Sequence, residues 1–227
     1  MSISERINLL EEKILNTCIR SGRKRCEIEV MGVSKNHSIE EVKEAYDKGI
    51  YLFGENRFQE AIKKFENNDI RKKIKLHFIG NLQRNKAKKA AAFFDCIQSL
   101  DRDNLIDELA ILTYGREEPL MVLLEYHTGE ESKAGYRSKD DVFKAVEKLL
   151  SCPGLKIDGL MTMAPFTDEQ KLLRAAFKSC FKMREEVSKS FNLHMPCLSM
   201  GMTQDFEIAI EEGATLLRIG SGIFGEA

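Results

Sequence analysis

Eight short apolar runs recur along this chain, and a stretch of helical character separates each from the next. They are IEVMGVSK (28–35), YLFGEN (51–56), KLHFIG (75–80), CIQSL (96–100), LMVLLEY (120–126), KIDGLMTM (156–163), MPCLSMG (195–201) and LLRIGSG (216–222). Several are almost continuously apolar, as strands covered on both faces are. Strands that alternate regularly with helices run parallel, because each helix carries the chain back to the starting edge. Eight such units in 227 residues leave no segment over. They predict one α/β domain over 1–227, a (β/α)8 (TIM) barrel, a fold that takes about 250 residues. A doubly wound open sheet is the alternative.

Helix punctuation supports the alternation. Ser38 and Glu41 make a capping box, and Ile39, Val42, Ala45 and Tyr46 then share one face. Gly49 suits the left-handed stop. Thr167 and Gln170 repeat the box before a long helix reaching about residue 190. Thr203 is expected to cap a helix ending at Gly213. An extra N-terminal helix, about 3–19, precedes the first strand. No Pro/Gly/Ser-rich linker, low-complexity stretch or further internal repeat interrupts the chain.

Charge is balanced, with 35 basic and 36 acidic residues. That argues against nucleic acid or an acidic membrane as partner. The short basic run RNKAKK (84–89) reads as the solvated face of a helix. No apolar stretch approaches the ~18 residues that span a bilayer, and the acidic, amphipathic N-terminus lacks a signal-peptide core. The six cysteines form no CxxC pair and read as reduced, mostly buried thiols of a cytoplasmic protein. The four histidines lack metal-ligand spacing.

In such a barrel, active residues sit at the carboxyl ends of strands, and phosphate binds after strands seven and eight. Lys35 ends the first run, Asn56 the second, and His77 lies in the third. Met163 ends the sixth, Ser199 and Gly201 the seventh, and Arg218, Gly220 and Ser221 the eighth. A lysine at an apolar barrel mouth loses hydration that favours its ammonium form, which makes it a nucleophilic amine. The alternative is an ordinary surface lysine. Gly220 and Gly222 let backbone amides approach a phosphate, and Ser221 adds a hydroxyl. The helix expected near Thr203 points its positive end to the same side. An amine plus a phosphate cradle implies an aldehyde phosphate, and pyridoxal 5'-phosphate (PLP) is the obvious one. Arg218 would pair with the phosphate, the pyridine nitrogen or a core carboxylate. His77 would line the core or the ligand. Met163 reads as packing or pocket lining.

VSK (33–35), FGEN (53–56), HFIGNLQRNK (77–86), SKAG (132–135), GLMTMAP (159–165), LSMGM (198–202) and RIGSGIFG (218–225) resemble the PLP homeostasis protein family, also called PROSC or YggS-like. The resemblance runs from about residue 5 to the C-terminus. It implies a barrel similar to the N-terminal domain of alanine racemases, with PLP as an imine on Lys35. It further implies phosphate contacts from Ser199, Gly220 and Ser221, and a ring contact from Asn56. Arg218 matches the racemase arginine that faces the pyridine nitrogen, where it would discourage ring protonation and weaken the electron sink. One departure is Leu124–His127 (LEYH), where the family commonly has a Gln-Val-Asn-like strand end.

The implied function is a PLP carrier in vitamin B6 homeostasis without robust catalysis. PLP-dependent apoenzymes are its expected recipients, and a monomer or weak homodimer its expected state. The alternative is an amino-acid racemase of alanine-racemase type. That chemistry needs an acid/base on each face of the Cα, and the chain is expected to lack the C-terminal domain that supplies the second. Tyr126 and Tyr136 flank a rim loop without matching that donor. A Schiff-base aldolase would carry its lysine on a later strand.

Overall fold

The first strand pairs in parallel with both the second and the last, and this double pairing closes the sheet. A computed structural model describes residues 1–129 and 134–226. Its strands are β1 (Glu29–Val33), β2 (Leu52–Glu55), β3 (Lys75–Phe78), β4 (Cys96–Leu100), β5 (Leu120–Glu125), β6 (Leu155–Met161), β7 (Cys197–Ser199) and β8 (Leu216–Ile219). They form a closed barrel in sequence order. Met31 is in register with Leu52 on one side and Arg218 on the other. The (β/α)8 barrel is therefore present and the open sheet is not.

The helices follow the expected order: α1 (Ile3–Ser21), α2 (Ile39–Asp47), α3 (Phe58–Phe65), α4 (Ala87–Phe93), α5 (Asp103–Thr113), α6 (Lys139–Leu150), α7 (Gln170–Phe191), α8 (Phe206–Glu211) and α9 (Ser221–Phe224). Helix α1 packs on α8 and α9. It lays Leu10, Ile14 and Cys18 against the barrel's outer shell. The Ser38–Glu41 capping box is formed in both directions. Gly49 takes a φ of +94°, a backbone that side chains with a Cβ rarely adopt.

Two expected caps differ. Thr167 accepts the Glu169 amide at 3.1 Å, a local turn, and α7 begins without a side-chain cap. Thr203 lies ahead of α8, which begins only at Phe206, and its hydroxyl accepts the Gly222 amide instead. A threonine hydroxyl serves whichever amide the tertiary structure brings to it. The RNKAKK run divides between a 3-10 turn and α4, with Lys88 and Lys89 exposed.

Most of the core lies between barrel and helices, where Phe53, Phe65, Leu76 and Phe177 are fully buried. Two smaller apolar clusters stand apart from it. One holds Met31, Leu52 and Leu216, the other Cys96, Leu123 and Met161. Met161 also lines a cavity at the carboxyl ends of the strands. None of the six cysteines is in a disulfide, and three are buried. Among the described residues, no helix is long and apolar enough to cross a membrane.

Candidate functional site

A cavity of about 640 Å³ opens at the carboxyl ends of the strands. That volume lies within the roughly 300–1,000 Å³ of small-molecule sites. Its lining includes Lys35, Asn56, Met163, Arg218, Gly220 and Ser221. The barrel thus gathers six residues from four separate strand ends around one space. Three other expected site residues, His77, Ser199 and Gly201, lie outside the lining. Ser132 and Lys133 of the SKAG segment fall outside the described residues.

Strand β1 ends at Val33, and Lys35 sits in the turn that follows. Its side chain is exposed, so the apolar barrel mouth does not strip water from the amine as expected. The next residue, Asn36, has a φ of +64°, the left-handed region that asparagine tolerates better than most residues. The Asn56 Oδ1 atom is buried without a partner. An orphaned acceptor of this kind in a cavity wall suits a ligand donor or ordered water.

On the adjoining wall, beyond the neighbouring strand β8, the segments around the ends of β7 and β8 are joined to each other. The Gly222 amide donates to Thr203 Oγ1 at 3.1 Å, and the Arg218 amide donates to Gly201 O at 2.9 Å. Gly201 is buried with a φ of +92°, and a Cβ there would press within 2.6 Å of Ala209. It shapes the turn from below and leaves the cavity surface to others. A Cβ at Gly220 would meet only Val33, at 3.6 Å or more. The space over Gly220 is therefore open, with Ser221 exposed beside it at the start of α9.

A buried polar chain crosses the lumen beneath this wall. Arg218 Nη1 donates to Ser199 Oγ (2.9 Å), and Nη2 donates to Thr162 O (2.7 Å). Ser199 Oγ donates to Gln98 Oε1 (2.7 Å), and Gln98 Nε2 meets His77 Nδ1 at 2.8 Å. An amide nitrogen only donates, so His77 Nδ1 accepts and the imidazole is neutral. Burial pushes His77 down to about 4, against the attraction of Asp95. Burial also lowers Arg218, opposed by Asp205 and Glu125. Guanidinium nevertheless stays charged in proteins. Ser199 and His77 thus serve the cavity through Arg218, whose orientation they hold.

Glu125, from the segment that departs from the family pattern, is with Gln98 a lumen group that sequence reading passed over. It continues the inward face of Met121 and Leu123 and is 6% exposed. Burial, with Asp101 adding to it, raises its carboxyl to about 7, while Arg218 opposes the rise. Both rim tyrosines are engaged elsewhere. Tyr136 donates to Asp103 Oδ1 at 3.0 Å, and burial and that carboxylate push its phenol upward. The Tyr126 hydroxyl lies 3.4 Å from Ser179 Oγ. Neither phenol is placed as a ready base.

Comparison with known proteins gives a consistent result. The family model described as alanine racemase, N-terminal domain, matches residues 15–227. A pyridoxal phosphate homeostasis protein of Aquifex aeolicus is 38% identical over 227 residues, covering 100% of this chain and 99% of its own. One of Haemophilus influenzae is 34% identical, covering 99% and 96%. Among solved structures, PipY of Synechococcus elongatus with PLP bound superposes with a TM-score of 0.85 at 32% identity, covering 99% of this chain and all of PipY.

Proposed function

The chain belongs to the pyridoxal phosphate homeostasis protein family, and we propose that it holds PLP covalently through Lys35 and takes part in intracellular PLP homeostasis without robust turnover. The observation that carries this reading is that Lys35, just after β1, and Gly220 and Ser221, just after the adjacent β8, line one cavity. An aldehyde phosphate is the ligand class that uses both at once. Lys35 would hold the aldehyde carbon as an imine, with loss of one water, and Gly220 and Ser221 would hold the phosphate through backbone and hydroxyl donors.

The residues present fit the group. Arg218 closes the cavity floor, and its two bonds to Ser199 and Thr162 hold it rigid there. A permanent cation there would suit the pyridine nitrogen and would keep a proton off it. PLP, when bound, would supply an electron-withdrawing ring, and an unprotonated ring is the weaker sink. The buried, unpaired Asn56 Oδ1 would offer it a further polar contact. A carrier suits this arrangement, because Lys35 would be the base at hand and both rim phenols already have partners. PipY with PLP bound and the names of the curated relatives support the same reading.

The test is direct. Protein loaded with PLP should be yellow, and borohydride should fix the group to the peptide containing Lys35. Fixation on another lysine would sink the assignment. Incubation with either enantiomer of alanine in deuterium oxide checks turnover. Slow one-sided Cα exchange agrees with a lysine acting alone, whereas interconversion of enantiomers faster than about 1 per second would make the protein a racemase.

A further inference from the structure

Lys35 is flanked by two residues whose backbone groups are fixed by one helix. Ser34, before it, has its amide on Gly54 O (3.1 Å) and its hydroxyl on Glu55 Oε1 (2.7 Å). The Ser34 carbonyl accepts from Lys64 Nζ at 2.6 Å. Asn36, after it, donates its amide to Glu60 Oε1 at 2.5 Å. Glu60 and Lys64 are one turn apart on α3, and Lys64 Nζ also reaches Glu60 Oε1 (3.3 Å) and Glu55 Oε1 (2.8 Å). An ammonium has three donors, and here three acceptors meet them. Lys64 is 8% exposed and Glu55 fully buried.

A buried pair of this kind is a poor source of stability, because desolvating both ions offsets most of their attraction; its better-attested use is to fix one arrangement among several. The arrangement fixed here is the Ser34–Asn36 turn. None of Glu55, Glu60 and Lys64 lines the cavity, so none has a contact of its own to make with a ligand. We infer that Lys64, with Glu55 and Glu60, is a positioning device that sets the Lys35 turn so that this amine, rather than another lysine, captures the aldehyde of PLP. The inference rests on covalent attachment at Lys35, as proposed above. Lys64 itself is withdrawn from that chemistry by its three acceptors.

Removing Lys64 alone strands the Glu55 carboxylate in the core and costs stability. The informative chain is the double variant Lys64→Met with Glu55→Met, which exchanges the ion pair for apolar side chains of similar size. Glu60→Ala is the second variant, since it frees the Asn36 amide while the buried pair stays intact. Each is loaded with PLP, quenched with borohydride at successive times and mapped by peptide. Noncovalent PLP retention is measured in parallel in a Lys35→Ala background. The expected result is melting close to the parent and unchanged noncovalent retention. Fixation at Lys35 should be slower by about tenfold to a hundredfold, the range that a misplacement near 1 Å produces. Fixation at the parent rate in the folded double variant, or in Glu60→Ala should the double variant not fold, overturns the inference. So does a loss of noncovalent retention that matches the loss of fixation, because that is a general structural effect. A parent chain fixed at some lysine other than Lys35 overturns the underlying proposal instead, and this one with it.

Discussion

On the β1–β2 side of the cavity, side chains hold the site. Ser34 and Asn36 are fixed by Glu55, Glu60 and Lys64, and the exposed Lys35 hangs between them. On the β7–β8 side, backbone and small residues form the surface, with Gly220 open and the Gly222 amide tied to Thr203. On the proposed function, the difference follows from what each wall would handle. A reacting amine needs its mobile four-carbon stem launched from a fixed base. A phosphate dianion needs several short donors close together, which backbone amides and hydroxyl groups can supply. The first wall should therefore control capture, and the second should control retention.

The sharpest way to break that division is Lys35→Ala. Borohydride fixation should vanish altogether while PLP remains bound noncovalently, as ultrafiltration would show. Loss of both would mean that the β7–β8 wall retains nothing by itself.

The support beneath the second wall is tested by pH. Folded Glu125 titrates near 7 against an ordinary 4.5, so the folded chain keeps a proton that the unfolded chain releases, and stability falls as pH rises through that window. Folded His77 titrates near 4 against 6.5, so the unfolded chain binds a proton that the folded chain refuses, and stability rises over nearly the same window. Each effect is worth about 3 kcal/mol, and in the intact chain they oppose each other. Glu125→Gln leaves only the His77 arm. Urea melts of that variant should gain about 2 kcal/mol between pH 4.5 and 6.5, where the parent stays nearly flat. A flat variant would show that the His77–Gln98–Ser199–Arg218 chain does not hold the imidazole neutral.

Ser221→Ala probes the second wall itself. One charge-assisted hydrogen bond, about 1.5–3 kcal/mol, should loosen PLP by about one to two orders of magnitude in equilibrium dialysis. The capture rate at saturating PLP should not change. Pyridoxal without its phosphate should bind more weakly still, and equal affinity would remove the phosphate from the account.

Asn56→Ala should have the smallest effect. Because Oδ1 has no partner, its removal should move the ligand-free stability by less than about 0.5 kcal/mol. A larger loss in thermal melts would make Asn56 part of the scaffold rather than of the cavity.

The order of elements, the barrel and the strand ends that bear chemistry were legible in the chain. Apolar runs that alternate with capped amphipathic helices have few other ways to bury both faces of every strand. The strand-end rule placed Lys35, Asn56, Met163, Arg218, Gly220 and Ser221 on one cavity, because barrel closure sends every carboxyl end to the same face. What a linear reading lacks is the direction and partner of each polar atom. Ser199 reads as a phosphate ligand by position, yet its hydroxyl lies inward between Arg218 and Gln98. Gln98 is one polar residue in an apolar strand, Glu125 one letter in a departing segment, and Lys64 one of many charges on a short helix. Their importance comes from burial and from neighbours up to 101 residues away in sequence. A polar group pays for desolvation only through partners that the closed barrel supplies. Local pattern determined the scaffold and the addresses of its strand ends, and tertiary closure decided which polar atoms face the cavity and which hold those that do.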